Sequence, residues 1–198
     1  MTTAIQTPTT LPAPAASRGS RFLKRFFFGL LVLVLVFVGT YAFAWFNANQ
    51  LSQQFFNDAE ATYKNGDFLK ALVGFQQFDE KTNKYINYGG YVSVEKIWSS
   101  RNSWPVPGFV QQARQRSQEI ISQKLTADQA QEYIQDNTGR PGAPYFAEIY
   151  LRLGELYEQQ GDTTDAIGVY QDMASLFPNR KDLIQQAQQH LAKIQKPG

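Results

Sequence analysis

The sequence predicts an all-α, membrane-anchored protein: a single N-terminal transmembrane helix followed by a domain of helical hairpins. Three observations predict this class. Phe26 to Phe46 form an unbroken run of 21 uncharged, mostly apolar residues. Beyond it, apolar residues recur at spacings of three and four, which is typical of amphipathic helices. No sustained two-residue alternation is present, so we expect little or no β-sheet.

The apolar run is long enough to cross a bilayer, and its flanking charges predict its direction. At a rise of about 1.5 Å per residue, a helix of this length spans roughly 30 Å. Four basic residues precede the run, whereas residues 47–63 contain no Lys or Arg; the four are Arg18, Arg21, Lys24 and Arg25. By the positive-inside rule, the N-terminus is predicted to be cytoplasmic and the domain periplasmic or otherwise extracytoplasmic.

The apolar run has two interpretations, a cleaved signal peptide and an uncleaved signal anchor. Ala42-Phe43-Ala44 resembles the cleavage site of a secretory signal peptide. The run is longer than the usual signal core of about 7–15 residues, however, and Tyr41, Trp45 and Phe46 resemble the aromatic belt at the end of a membrane span. We therefore expect an uncleaved signal anchor over residues 21–47, with a cleaved signal as the alternative.

Composition argues against several classes of function. All 17 acidic residues and 15 of the 19 basic ones follow Phe46, so the exported part carries a formal charge of −2 and does not resemble a nucleic-acid-binding domain. Cysteine is absent, which excludes disulfides, thiolate metal sites and thiol nucleophiles. His190 is the only histidine, and no acidic residue is nearer to it in sequence than Asp182. We predict no enzyme, no metal or cofactor site and no small-molecule substrate.

The first part of the chain divides into four predicted regions. Residues 1–20 are rich in Thr, Pro and Ala and predict a disordered cytoplasmic tail before the anchor. Residues 48–86 predict a helical hairpin, with helices over 49–64 and 67–86 on either side of Gly66. Residues 87–144 predict an aromatic-rich loop followed by a helical insertion. Its helices are expected over 109–124 and 126–137, the second opened by a capping box between Thr126 and Gln129.

Residues 147–180 resemble one repeat of the tetratricopeptide family, whose unit of about 34 residues carries aromatic, Leu-Gly, Tyr, Ala and Pro positions at fixed offsets. The matching residues are Tyr150, Leu153, Gly154, Tyr157, Ala166, Tyr170 and Pro178. The resemblance implies two closely packed helices over 145–160 and 163–176 within a unit at 145–180. Residues 181–198 then predict a capping helix. Residues 48–86 resemble the same unit less closely.

The resemblance also implies a groove, lined by the first helix of the repeat, that holds a segment of a partner. The polar face of this helix carries Glu148, Arg152, Glu155 and Gln159. Because Glu155 lies on it, we expect a neutral or basic guest. The alternative is an ordinary solvated face with a Glu148–Arg152 pair.

The segment from Tyr85 to Phe109 offers a second candidate surface. Its rings include Tyr91, Trp98 and Trp104, and Tyr and Trp are frequent anchors of protein interfaces. Trp104-Pro105-Val106-Pro107 predicts an extended path. The alternative is that these rings plug the end of the first hairpin.

Together these features predict a membrane-anchored tetratricopeptide scaffold that binds lipid and other membrane or envelope proteins, without nucleic acid. We expect an accessory or assembly subunit of a larger respiratory, photosynthetic or secretion complex, because no Gly/Ser linker separates Trp45 from the first helix. The alternative is a freely diffusing envelope adaptor or chaperone for exported proteins.

Overall fold

The computed structural model describes residues 19–140 and 142–195, so residues 1–18 of the predicted tail, and with them Arg18, lie outside the described part. The chain divides into two compact units, one up to Phe46 and the other from Asn47. Its first element, α1, is a single helix over Gly19–Lys64. The apolar run is helical, and the helix predicted over 49–64 is confirmed as part of the same element.

The apolar part of α1 has the properties of a membrane span. By length and composition, Leu23–Lys64 is the one helix within the described ranges that could cross a bilayer, with a mean hydropathy of 2.5 in its most apolar window and no residue of that window buried. The hydroxyl of Thr40 donates to the carbonyl oxygen of Val36 at 2.9 Å, so its polar group is satisfied inside the helix.

The second unit is mostly helical, which confirms the predicted class. Residues 47–64 of α1 belong to it. The further elements are α2 (Phe68–Val73), β1 (Phe75–Asp79), β2 (Lys84–Tyr88), α3 (Tyr91–Ile97), α4 (Gly108–Glu119), a π-helical turn (Ile120–Lys124), α5 (Ala127–Asn137), α6 (Phe146–Gln160), α7 (Thr163–Leu176) and α8 (Lys181–Ile194).

The helix predicted over 67–86 is wrong beyond Val73. β1 and β2 instead form an antiparallel hairpin in which Phe75 lies opposite Tyr88 and Asp79 opposite Lys84. The aromatic residues that suggested a helical stripe pair across the strands. The rings of Phe75 and Tyr88 stack at 4.8 Å, and those of Phe78 and Tyr85 meet edge to face at 5.1 Å.

Two local features end α2 and close the hairpin. Gly74 has φ +81°, and a Cβ there would lie 2.5 Å from the carbonyl oxygen of Tyr88, so the helix cannot continue through this position with an ordinary side chain. At the other end, the Asp79 carboxylate accepts hydrogen bonds from the Lys81 amide at 3.1 Å and the Thr82 hydroxyl at 2.7 Å.

Between the hairpin and residue 145 the helical predictions are confirmed, and α3 is an element that the sequence did not indicate. The helix predicted over 109–124 is α4 with the π-helical turn. The capping box of α5 is present: the Gln129 amide donates to the Thr126 hydroxyl oxygen at 3.2 Å, and the Thr126 amide donates to the Gln129 side chain at 3.3 Å. No regular element lies between Ile97 and Gly108, as expected from the prolines.

Helices α6, α7 and α8 pack around one apolar cluster. The bounds of α6 and α7 match the predicted helices to within one residue. α8 begins at the predicted Lys181 and ends at Ile194, and residues 196–198 of the predicted capping helix lie outside the described part. A Cβ at Gly154 would lie 2.6 Å from the Tyr170 ring, so the close helix approach requires glycine there. Pro178 follows shortly after the last residue of α7. The buried members of the cluster are Ala147, Leu151, Ala166, Tyr170, Met173, Leu183 and Ala187.

Candidate interaction surface

The predicted groove face of α6 is not one continuous surface. Glu148 accepts a hydrogen bond from Arg180 at 2.7 Å, so the alternative Glu148–Arg152 pair does not form. Arg180 also binds Asp182 at 3.0 Å. Glu148 therefore belongs to a cluster of charges at the start of α8, because the fold brings together residues 32 positions apart.

The next two residues of that face belong to a different cluster. Arg152 donates to Glu155 at 2.7 Å, and its side chain is nearly buried. The Nε atom of Arg152 has no hydrogen-bond partner within the described residues. Gln159, the fourth predicted residue, is exposed. The structure thus brings Arg152 and Glu155 together and leaves Glu148 and Gln159 apart from them.

His190 completes this second cluster. Its Nδ1 donates to Glu158 Oε2 at 2.7 Å, while its Nε2 lies 3.9 Å from Glu155 Oε1. The ring stacks on that of Tyr170 at 5.0 Å, and the Tyr170 hydroxyl donates to the same Glu158 oxygen at 2.9 Å. Sequence reasoning did not identify these partners, because they come from three different helices. The cluster ties α8 to α6 and α7.

Glu158 makes the stability of the protein sensitive to acid. Partial burial raises the pKa of Glu158, but the hydrogen bonds from His190 and Tyr170 outweigh it and hold this pKa below its ordinary value. A lowered folded-state pKa gives stability that is present above the unfolded value, about 4.3, and is lost as the pH falls through the folded value.

We therefore expect Glu158→Gln to lower the free energy of unfolding by roughly 1 kcal/mol at pH 7, and the difference from wild type to shrink below about pH 4. Urea unfolding of the full chain in mild detergent, repeated from pH 7 to pH 3, measures this. Glu80→Gln, in the exposed loop between β1 and β2, is the matched control and should change little at any pH. A pH-independent loss in the Glu158 variant contradicts the assignment.

A further charged network joins the end of α1 to α4. Arg116 binds Glu60 at 3.2 Å and Glu119 at 2.9 Å, and its guanidinium lies 4.4 Å from the centre of the Tyr63 ring. Hydrogen bonds from Tyr63 and Arg116 lower the pKa of Glu119. Sequence reasoning missed this network because 56 positions separate Arg116 from Glu60. Each partner is engaged within the fold, so the network stabilises the helix contact.

Two of the three predicted aromatic contacts lie in the core. Tyr91 is fully buried and donates its hydroxyl to Glu60 at 2.6 Å. Trp98 is 3% exposed, and its Nε1 donates to the Ser52 hydroxyl at 2.8 Å. Their predicted position at the surface is therefore wrong, because both side chains are buried and bond to residues of α1. Trp104 is 76% exposed, as a surface contact requires.

The β-hairpin is an exposed surface that the sequence did not predict. Three of its large apolar side chains face solvent, of which Tyr85 is 69% exposed; the others are Phe78 and Ile86. The outer edges of β1 and β2 make no backbone hydrogen bonds to other described elements. Exposed apolar side chains beside unpaired strand edges are typical of sites that contact another chain.

Three adjoining cavities surround the loop between α5 and α6, and Pro144 lines all of them. Their volumes are about 650, 280 and 530 Å³. We call the three cavities together the Pro144 cleft, and each of the two larger ones falls in the size range of ligand pockets. Its apolar wall includes Val92, Tyr145, Phe146, Leu176 and Phe177.

Within the described ranges, no group of three or more His, Asp or Glu side chains is placed to hold a metal ion. The side chains of each charged cluster described above contact one another and join helices, an arrangement that supports packing. Among the described residues, the surfaces that offer contacts to another molecule include the hairpin, Trp104 and the Pro144 cleft. No family model, curated protein or solved structure matches the chain.

Proposed function

We propose that this protein is a membrane-anchored interaction scaffold. The apolar stretch of α1 holds it in the bilayer with the N-terminus in the cytoplasm, and the domain from Asn47 onward binds another membrane or envelope protein on the far side. In this proposal it is an accessory subunit of a larger membrane complex and not an enzyme. The β-hairpin is the observation that carries the binding role, because it keeps Phe78, Tyr85 and Ile86 at the surface.

A tetratricopeptide-like architecture for α6, α7 and α8 is part of the same proposal. The close contact between Gly154 and Tyr170 and the full burial of Ala166 support it, since small residues at these positions let the two helices of such a unit pack closely. Short helical units of this kind serve as stable frames for binding surfaces.

The properties of the hairpin favour a permanently bound partner subunit over a transiently bound client protein. A two-stranded hairpin is marginally stable by itself, and exposed aromatic residues favour association in water. A permanently bound partner subunit stabilises the hairpin and buries its exposed aromatic residues. This favours the accessory subunit over the freely diffusing adaptor.

Gentle solubilisation of native membranes and purification through a C-terminal tag test the proposal. We expect a stoichiometric set of integral membrane proteins, reduced about 10-fold or more by the double change Tyr85→Thr and Ile86→Thr, which keeps a high strand propensity. Val106→Thr, an exposed apolar residue outside the hairpin, is the control and should retain the set.

The other outcomes of this purification indicate the adaptor or contradict the proposed surface. A variable mixture of exported proteins would indicate the adaptor. Absence of co-purifying proteins, or an undiminished set with the double variant, would contradict the proposed surface.

A further inference from the structure

We propose that the Pro144 cleft binds an extended, acidic segment of a partner protein that also carries an apolar anchor residue. This inference rests on the proposed scaffold function and names the class of segment that one of its surfaces takes. The neutral or basic guest expected from Glu155 belonged to the polar face of α6, and Glu155 does not line this cleft.

The charge of the cleft favours an acidic guest. Within the described residues, only one of its five cations, Arg180, is in an ion pair, and the other four are Lys70, Lys96, Arg114 and Arg140. Of its four carboxylates, Glu148 is paired with Arg180, whereas Glu95 accepts hydrogen bonds at 2.6 Å from two neutral hydroxyl groups, which do not cancel its formal charge. Glu132 and Asp136 are the other two. Among the described residues, four cations without an ion pair therefore line the cleft with three such carboxylates, an excess of one formal positive charge.

The apolar wall favours a peptide over a small anion. Leu176 is 52% exposed although it lines the cleft, and the neighbouring Phe177 meets Phe146 edge to face at 5.7 Å. A small anion leaves this wall in water, whereas a segment with a Leu, Ile, Phe or Tyr side chain covers it. Anchors of this kind supply much of the affinity of peptide recognition.

Tyr145, whose ring forms part of the apolar wall, has a strained backbone conformation and a hydroxyl group fixed by a hydrogen bond. Its φ is +60°, a left-handed conformation that costs a bulky residue about 1 kcal/mol or more. The Tyr145 hydroxyl donates to Glu95 at 2.6 Å, and the Ser117 hydroxyl donates to the other oxygen of the same carboxylate at 2.6 Å. Strain maintained by such contacts is typical of binding sites, and a fixed ring lowers the entropy cost of binding.

A random-dodecapeptide display library, selected against the full chain in lipid nanodiscs and subtracted on empty nanodiscs, tests the inference. We expect the enriched peptides to carry net negative charge and at least one large apolar residue. The strongest peptide is then labelled and titrated by fluorescence anisotropy. Arg140→Glu and Leu176→Ser should each weaken binding about 10-fold or more, whereas Arg101→Glu, an exposed cation outside the cleft, should leave it unchanged.

Three results would overturn the inference: no enrichment above empty nanodiscs, enrichment of neutral or basic peptides, or unchanged affinity in both cleft variants. These results are distinguishable from failure of the scaffold function. If the co-purified set survives while the library yields no acidic binders, the cleft assignment fails and the scaffold stands. If the co-purified set is absent, the scaffold itself fails.

Discussion

Replacing Trp98 with Ala is expected to lower the free energy of unfolding of the domain by about 3–5 kcal/mol. The ring is almost fully buried, so its removal leaves a large cavity between α1 and α3. It also leaves the buried Ser52 hydroxyl without the indole donor at 2.8 Å. Urea unfolding of the full chain in mild detergent, followed by circular dichroism, measures the loss.

Trp104→Ala is the matched control, because it removes the same side chain from a position that is 76% exposed. We expect it to cost about 1 kcal/mol or less. Trp98→Phe should fall between the two, since it keeps most of the volume and removes the N–H donor. Equal losses for the two alanine variants would contradict the assignment of Trp98 to the core and of Trp104 to the surface.

Replacing Gly154 with Ala should have the second largest effect, a loss of about 1–3 kcal/mol. The new Cβ would lie 2.6 Å from the Tyr170 ring, which is itself buried, stacked on His190 and bonded to Glu158. That ring cannot move without disturbing the cluster that ties α8 to α6. Alanine is the better helix former by about 1 kcal/mol, so the packing cost must exceed this gain.

Gly168→Ala makes the same chemical change in α7 at an exposed position where a Cβ meets nothing within 4 Å. We expect this variant to gain about 0.5–1 kcal/mol from helix propensity. The same unfolding experiment applies to both glycines. Stabilisation by both substitutions would show that the Tyr170 ring yields freely and that close approach does not require Gly154.

The sequence predicted correctly where a local signal had only one structural interpretation. The apolar run, the Thr126–Gln129 capping box and the small residues Gly154 and Ala166 each reflect interactions within a helix or between helices joined by a short turn. The bounds of α5, α6 and α7 therefore agree with the prediction to within one residue, and α8 begins where predicted. The side-chain partners were harder to predict: the alternative Glu148–Arg152 pair lies within one helix, and Glu148 binds Arg180 instead.

The β-hairpin shows where local reasoning fails. Phe75 and Phe78 have a spacing that suits a helical stripe as well as a strand, and the pairing with Tyr88 and Tyr85 decides between them. That pairing depends on a contact across the turn and on the backbone geometry at Gly74. Neither is visible in a window of a few residues.

The sequence by itself determined the long apolar N-terminal helix, the helical class and the absence of thiol chemistry, because composition and short-range periodicity follow from single segments. Only the tertiary structure decided which aromatic rings are buried and which charged side chains are engaged. Tyr91 and Trp98 lie in the core and Tyr85 at the surface, although all three belong to the same aromatic-rich segment. Burial is a property of what packs on a residue, and here the covering helix α1 comes from a distant part of the chain.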